Sequence, residues 1–281
     1  MDNLRSLFNI IGGQQAILII KKRYSNFYMD VYSILSQTQR ECVGDGEFKT
    51  ILNNDARKTL VLLWSQLGDF DNLEYAWWLQ RESAQLQAKN IIVKAIGIGE
   101  RNSGIKVCKY TGFPVQNLFI DPTAELHCQL GLYQGLNLKF PFLSAQTSAF
   151  INLMIMCAGI GSPGTLSEVF RGYKGDRNAP QLILNEEVVK NTPLPDIKGS
   201  FFKLAGGENF QRPFELATLR LRNMTEVLSN WNTYVSDATY LTQRGGTFLF
   251  DDGKLVYEHR DRSILGFAAN MSNPLSFIKK L

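Results

Sequence analysis

Two short apolar runs, separated by one amphipathic segment, constrain the fold of this chain more than any other feature. The runs are residues 59–64 (TLVLLW) and residues 91–98 (IIVKAIGI). The first is unbroken and rich in branched side chains, which is typical of a strand buried on both faces, and the second is predicted to be another buried strand. Residues 73–89, between them, have apolar positions at helical spacing. The connection is long enough for a parallel crossover, so the pattern predicts a right-handed β-α-β unit.

Strands and helices continue to alternate after this unit. Residues 103–111 are predicted to form a helix that Gly112 ends, and residues 117–120 a brief strand. Near the C-terminus, residues 246–250 (GTFLF) and 254–259 (KLVYEH) flank an Asp-Asp-Gly turn, which indicates an antiparallel hairpin. Parallel strands joined to an antiparallel pair predict an α/β fold with a mixed sheet.

The chain divides into a short N-terminal region and one larger domain. Residues 1–54 have mostly helical periodicity and are predicted to form a helical extension. Residues 55–281 form the α/β domain. A Pro- and Gly-rich insertion interrupts this domain at about 136–243 and is too long for an ordinary loop. Residues 214–231 within it have the pattern of an amphipathic helix, so we expect the insertion to pack on the sheet.

Charge and composition argue against several kinds of binding site. The 30 basic and 26 acidic residues are scattered, without the basic stripe that nucleic-acid binding needs. Residues 21–23 and 171–177 are the local basic concentrations, and solvated loops or helix ends explain them. The two histidines and four cysteines lack the spacing of metal ligands. We therefore predict no nucleic-acid partner, no metal and no cofactor, and a reducing compartment for the cysteines.

Two apolar segments were compared with the requirements of a membrane span. Residues 8–20 are interrupted by two glycines and two glutamines, and residues 140–160 contain several polar side chains. Neither reaches the roughly 20 predominantly apolar residues that a span needs. The N-terminus lacks the pattern of a secretory signal or an import peptide. We expect a soluble protein with peripheral membrane contact at most, through an apolar segment that docks on a partner or a membrane surface.

Four blocks of sequence carry a family resemblance. They are residues 59–82 (TLVLLWSQLGDFDNLEYAWWLQRE), 96–99 (IGIG), 111–132 (TGFPVQNLFIDPTAELHCQLGL) and 244–261 (RGGTFLFDDGKLVYEHRD). With them the chain resembles the peroxiredoxin-like (AhpC/TSA-type) branch of the thioredoxin superfamily, in its cyanobacterial and plastid type. The resemblance implies a thioredoxin-like mixed sheet with flanking helices, with the helical extension before it and the insertion before the C-terminal hairpin.

The loop after the first core strand is where redox-active relatives carry their cysteines. A helix N-terminus and nearby cations stabilise the thiolate, which is the reactive form of the thiol. The matching stretch here is Gly68-Asp69-Phe70-Asp71-Asn72. Asp69 and Asn72 stand where the two cysteines would be, so this site cannot form a sulfenic acid. The resemblance therefore implies that this chain lacks the redox cysteines of the family and has no catalytic residue at this loop.

Asp69, Asp71 and Asn72 have two interpretations. As helix caps, their oxygens would accept hydrogen bonds from the first amides of the following helix. As a functional pair, the two carboxylates would bind a ligand or exchange protons. Arg244 stands where the resemblance places an arginine that lowers a thiol pKa. Without the thiol it is expected to pair with Asp69 or Asp71, or to remain as an anion or small-molecule site.

The remaining cysteines could supply a displaced redox thiol. Cys42, in an early loop-like segment, and Cys128, on a short helix, are the candidates. Cys128 follows His127, but neighbours in a helix do not face each other. Cys108 and Cys157 lie in segments typical of buried, inert thiols.

Two functions from different classes are compatible with these features. The first is a redox-inactive thioredoxin-fold protein that binds proteins or serves as a structural component, with the insertion as its docking surface. The second is a peroxiredoxin-like antioxidant enzyme that uses a displaced cysteine. The resemblance also implies a setting: the plastid stroma or the cyanobacterial cytoplasm, with a photosynthetic thylakoid complex as a protein partner.

Overall fold

The computed structural model describes residues 30–52, 58–190 and 195–280. The strands are β1 Gln39–Cys42, β2 Phe48–Thr50, β3 Lys58–Gln66, β4 Ile91–Ile98, β5 Leu118–Ile120, β6 Val188–Val189, β7 Ile197–Lys198, β8 Gly246–Asp251 and β9 Lys254–Arg260. The α-helices are α1 Val31–Gln37, α2 Phe70–Arg81, α3 Ser83–Ala88, α4 Arg101–Thr111, α5 Glu125–Gln129, α6 Ala145–Cys157, α7 Thr165–Lys174, α8 Glu215–Ser229 and α9 Trp231–Tyr234.

One mixed sheet organises the described residues. Its strand order is β2-β1-β5-β4-β3-β8-β9. Strands β3, β4 and β5 are parallel, whereas β8 is antiparallel to β3 and β9 is antiparallel to β8. Helices α2 and α3 connect β3 to β4. Together with the β8-β9 pair, this is the thioredoxin-like mixed α/β arrangement that the sequence predicts.

Strand β3 is buried on both faces, as its unbroken apolar run predicts. Leu60 and Leu62 belong to the core cluster on one face, while Val61 and Leu63 belong to the cluster on the other. Side chains alternate along a strand, so two separate cores need an apolar residue at every position. The parallel pairing with β4 confirms the β-α-β prediction.

The C-terminal hairpin is also confirmed. Asp252 and Gly253 connect β8 to β9 with φ angles of 49° and 72°. Positive φ at both central residues defines the type I′ turn, whose twist matches that of the paired strands. The Asp-Gly pair tolerates these angles better than most residues do.

The helical extension over 1–54 is only partly correct. Residues 1–29, which include the apolar segment 8–20 and the basic residues 21–23, lie outside the described residues. Helix α1 follows, but β1 and β2 then form an antiparallel hairpin whose first strand pairs with β5. Local periodicity did not reveal this hairpin, because its position depends on a strand far along the chain.

The insertion is attached to the core by buried charges. Its predicted helix is present as α8, which packs against α2. Arg220 of α8 lies 2.7 Å from Glu74 of α2, and Glu74 is 1% exposed. A buried carboxylate needs such a partner, so this ion pair fixes the insertion to the sheet layer. Among the described residues, no helix combines the length and apolar character needed to cross a membrane.

Candidate functional site

The loop between β3 and α2 ends in a helix cap. Asp69 is the N-cap of α2, and its Oδ1 accepts a hydrogen bond from the amide of Asp71 at 3.0 Å. Ser65 donates its hydroxyl to Asp69 Oδ2 at 2.9 Å. The carboxylate thus satisfies a free amide at the positive end of the helix. The capping interpretation of Asp69 is confirmed.

Arg244 reaches this cap from the residue pair that precedes β8. Its Nη2 lies 2.6 Å from Asp69 Oδ2, and its Nη1 lies 3.6 Å from Asp71 Oδ2. The arginine side chain is 2% exposed. Gly245 allows the close approach of the chain, because a Cβ there would lie 2.0 Å from the carbonyl oxygen of Leu63. The predicted ion pair is therefore present, and it is buried.

The guanidinium of Arg244 is hydrogen-bonded within the protein through its Nε and Nη2 atoms. Its Nε donates to the carbonyl of Thr242 at 3.2 Å, and its Nη2 also donates to the carbonyl of Leu241 at 3.1 Å. Burial opposes its charge, but Asp69 and Asp71 outweigh burial and raise the pKa of Arg244 above its ordinary value. The cation is fully engaged within the protein.

The other loop residues have structural contacts. Burial, together with the charge of Asp69, raises the pKa of Asp71 well above its usual range, although Arg244 opposes the shift. Asp71 Oδ2 accepts the amide of Leu265 at 2.8 Å. Asn72 donates its Nδ2 to the carbonyl of Gln66 at 2.8 Å, and Phe70 packs against the core cluster. At Gly68 a Cβ would lie 2.6 Å from a methyl of Val235.

Asp261 is a member of the cluster that the sequence analysis did not single out. Its amide donates to the carbonyl of Gly245 at 3.0 Å, next to Arg244. Burial raises its pKa from 3.8 to about 8, with Arg244 opposing the shift and Asp69 adding to it. His259 Nε2 lies 3.4 Å from Asp261 Oδ1. The sequence could have indicated Asp261 through its position as the last residue of block 244–261, directly after β9.

A second buried cluster supports the end of β3. His127 is fully buried; its Nδ1 lies 3.2 Å from Asp121 Oδ2 and its Nε2 lies 2.9 Å from the carbonyl of Trp64. Both contacts are made to oxygen atoms, so each ring nitrogen is held within the protein. Arg40 Nε, at 3.1 Å from Asp121 Oδ1, completes the charge balance. His127 therefore acts as a structural link between α5 and β3.

The four thiols are distributed differently from the sequence prediction. Cys42 is fully buried, with its Sγ 3.6 Å from the carbonyl of Gln116, so its placement in an open loop was wrong. Pairing of β1 with β5 covers it. Cys108 is buried as predicted, and burial raises its pKa to about 12. Cys128 is exposed, pointing away from buried His127.

Cys157 is exposed, contrary to its interpretation as a buried thiol. It occupies the last turn of α6, whose outer face is not covered by any described residue. Partial burial, and then the carboxylates of Asp69 and Asp71, raise the pKa of the thiol, while Arg244 opposes the shift. The same carboxylates that neutralise Arg244 thus disfavour the thiolate of Cys157.

A cavity of about 700 Å³ opens on the insertion side of the core. Its lining combines polar side chains such as Asn137 and Gln243 with apolar ones such as Leu136 and Leu143, and it includes Cys128. Arg244 is not among the lining residues, although Gln243 is adjacent in sequence. Within the described residues, no group of three or more His, Cys, Asp or Glu side chains is arranged to hold a metal ion.

Comparison with known proteins identifies one family. A family model described as "AhpC/TSA antioxidant enzyme" matches residues 78–263. No curated protein and no solved structure matches the chain. The matched region begins within α2, after the loop that carries Asp69, and includes Arg244 and Asp261.

Breaking the buried ion pair is expected to destabilise the fold. Arg244→Met should lower the free energy of unfolding by about 3–5 kcal/mol, because it leaves buried carboxylates without a counter-charge. Equilibrium urea denaturation measures the change. Lys203→Met is the control, since it breaks an exposed pair with Glu208 and should change stability much less than Arg244→Met does. Equal losses in the two variants would contradict a structural role for Arg244.

The protonated form of Asp261 predicts a pH dependence of stability. The folded protein holds this proton up to a pKa of about 8, whereas the unfolded chain releases it near 3.8. Stability should therefore fall as the pH rises between these values. Asp261→Asn should flatten the profile and raise the thermal midpoint most at pH 8. Asp252→Asn, in the exposed hairpin turn, should leave the profile unchanged; a parallel shift in both variants would refute the assignment.

Proposed function

The chain belongs to the AhpC/TSA antioxidant enzyme family, and from that membership we propose that it is a redox-inactive member that acts by binding other proteins or as a structural component. The observation that supports this proposal is the ion pair between Asp69 and Arg244. A permanent carboxylate occupies the helix N-terminus, where a thiolate would need both the helix dipole and a cation. The loop supplies neither a sulfur atom nor a free positive charge.

The binding role is supported by the surface of the insertion. Large apolar side chains there are exposed, including Phe170, Phe201 and Leu204, with exposures of 58%, 62% and 83%. Exposed apolar surface of this kind is typical of interaction sites. The core buries its charges internally, while the insertion presents apolar groups outward.

We propose in addition a plastid or cyanobacterial setting, with a photosynthetic thylakoid complex as the protein partner. This step depends on the resemblance of the Gly-Asp-Phe-Asp loop to sequences of that origin. The contacts of the loop within the protein are compatible with any cellular compartment.

An antioxidant enzyme with a displaced cysteine is the alternative. Exposure of Cys128 and Cys157 favours it, because a peroxide could reach either thiol. A thiolate would attack one peroxide oxygen, break the O–O bond and become a sulfenic acid, with water as the other product. A second thiol would then reduce the sulfenic acid. The raised pKa of Cys157 opposes this chemistry at that position.

Peroxide consumption with dithiothreitol as the reductant separates the two functions. We expect the purified chain and a variant with all four cysteines changed to serine to give the same rate as dithiothreitol alone, because the thiols lack a free cation. An enzyme-dependent rate that the four serine substitutions abolish would establish the alternative instead. Single Cys128→Ser and Cys157→Ser variants would then assign the thiol.

A separate alkylation experiment tests whether a thiol at this loop becomes reactive. Asp69→Cys places a thiol at the N-cap of α2 beside Arg244. If this position corresponds to the catalytic cysteine of the family, the new thiol should react with iodoacetamide at pH 6 faster than Cys128 does. A slow reaction in a folded variant would contradict the correspondence.

The binding role predicts a large native assembly. A tagged chain in gently lysed cells of its source should migrate on native gels well above its own mass of 31.8 kDa. The measurement is repeated in high salt and in mild detergent. Migration as the free chain under every condition would refute the binding role, irrespective of the peroxide assay.

A further inference from the structure

The surface of the insertion contains a stretch without charge. Residues 140–167 include no Asp, Glu, Lys, Arg or His. This stretch covers the loop before α6, the whole of α6 and the start of α7. A surface helix of a globular protein normally has charged side chains on its outer face. The stretch therefore departs from the usual pattern of a surface helix.

Helix α6 exposes an apolar face. Phe150 and Met154, one turn apart, are 46% and 47% exposed, and Cys157 follows on the same side. The inner side carries Asn152 and Met156, which are buried. The amide of Asn152 exchanges hydrogen bonds with the backbone of Leu138, which fixes the preceding loop against the helix.

The loop before α6 holds a phenylalanine away from the protein. Phe142 is completely exposed and has a φ of 67°. A bulky residue in this left-handed region is a rare and strained conformation. Leu143 beside it is 44% exposed. The strained backbone at Phe142 is not offset by packing of its ring within the protein. We therefore expect the ring to contact something outside the chain.

Helix α7 extends the same surface. Leu166 and Phe170, again one turn apart, are 48% and 58% exposed. Leu166 lies beside Gly159 at the end of α6, where a Cβ would be 3.4 Å from the leucine Cγ. The two helices are thus in contact, and each carries exposed apolar side chains. We call this surface the α6–α7 face and define it by Phe142, Leu143, Phe150, Met154, Leu166 and Phe170.

The rim of this face is basic. Lys139 precedes the uncharged stretch, and Lys174 and Arg177 follow it; all three are exposed. The acidic groups close to it are already paired, because Glu168 and Asp176 both bind Arg171. Among the described residues, Lys139 and Lys174 have no ion-pair partner. The rim therefore carries uncompensated positive charge.

We propose that the α6–α7 face is a docking surface for a membrane with anionic lipid headgroups. Its apolar side chains would enter the boundary between headgroups and acyl chains, with Phe142 deepest, while the rim lysines stay at the level of the phosphates. Each lysine near an anionic surface adds about a factor of five in affinity. This inference goes beyond the proposed function, which concerns a protein partner, and Phe170 is among the exposed side chains used for both.

The charge pattern favours a lipid surface over a second copy of the chain. A twofold dimer through this face would bring the same rim against itself, so Lys139 and Lys174 would face other cations. An anionic membrane complements both the apolar centre and the basic rim. The fully exposed ring of Phe142 is a projection, which suits insertion into lipid.

Vesicle flotation with the full chain tests this inference. Vesicles of phosphatidylcholine alone are compared with an equal mixture of phosphatidylcholine and phosphatidylglycerol. We expect binding to the mixture only, weakened by salt. The double variant Phe142→Ser/Phe150→Ser should bind at least tenfold more weakly, because it removes two of the apolar side chains that would enter the bilayer. Lys139→Glu/Lys174→Glu should abolish the preference for anionic vesicles. Phe48→Ser, on edge strand β2, is the matched control and should bind normally.

Three outcomes would overturn the inference. They are no flotation with either vesicle, equal flotation of the double phenylalanine variant, and a dimer in light scattering that this variant converts to a monomer. Equal flotation would assign lipid binding to another part of the chain, such as the apolar residues 8–20. The readout is independent of peroxide consumption, so failure here and failure of the proposed function can be told apart.

Discussion

The buried ion pair between Arg244 and Asp69 is the interaction on which the centre of this molecule depends. It joins the start of α2 to the residue pair that precedes β8, and so connects the β-α-β unit to the C-terminal hairpin. A charge at this depth is stable only when it is paired and fully hydrogen-bonded. The carbonyls of Leu241 and Thr242 accept hydrogen bonds from this guanidinium, which also fixes the end of the insertion. One guanidinium therefore connects three segments of the chain: the start of α2, the end of the insertion and the residues before β8.

The cluster contains more carboxylates than its cation can neutralise. Asp69, Asp71 and Asp261 surround Arg244, and burial raises the pKa of Asp71 and of Asp261, which favours their protonated forms. A free anion has no place among them, because the guanidinium is already occupied. This electrostatic balance explains why the site stabilises the fold, and it is the physical basis for proposing that thiol chemistry is absent. Cys157 is affected by the same field, which disfavours its ionised form.

The sequence predicted the structural elements that are determined by residues close together in the chain. The runs at β3 and β4, the Asp-Gly turn and the cap at Asp69 are each specified within a few residues. The pairing of Arg244 with Asp69 was also predicted, because the resemblance placed both residues at one loop. The hairpin of β1 and β2, the burial of Cys42 and the role of Asp261 depend on contacts between distant segments. No local pattern encodes them, so they required the structure.

The insertion combines buried charge pairs with exposed apolar side chains, and this combination has a consequence. Folding normally removes apolar groups from water and leaves charges on the outside. Here α2 and α8 meet through the pair of Glu74 and Arg220, while α6 leaves Phe150 and Met154 in solvent. Charge pairs specify geometry well but contribute little net stability. The Glu74–Arg220 pair thus positions the insertion without using the apolar side chains of α6, which stay exposed. Those groups can stabilise a contact only outside the chain. The buried ion pairs therefore determine the position and orientation of the insertion, including its exposed apolar surface.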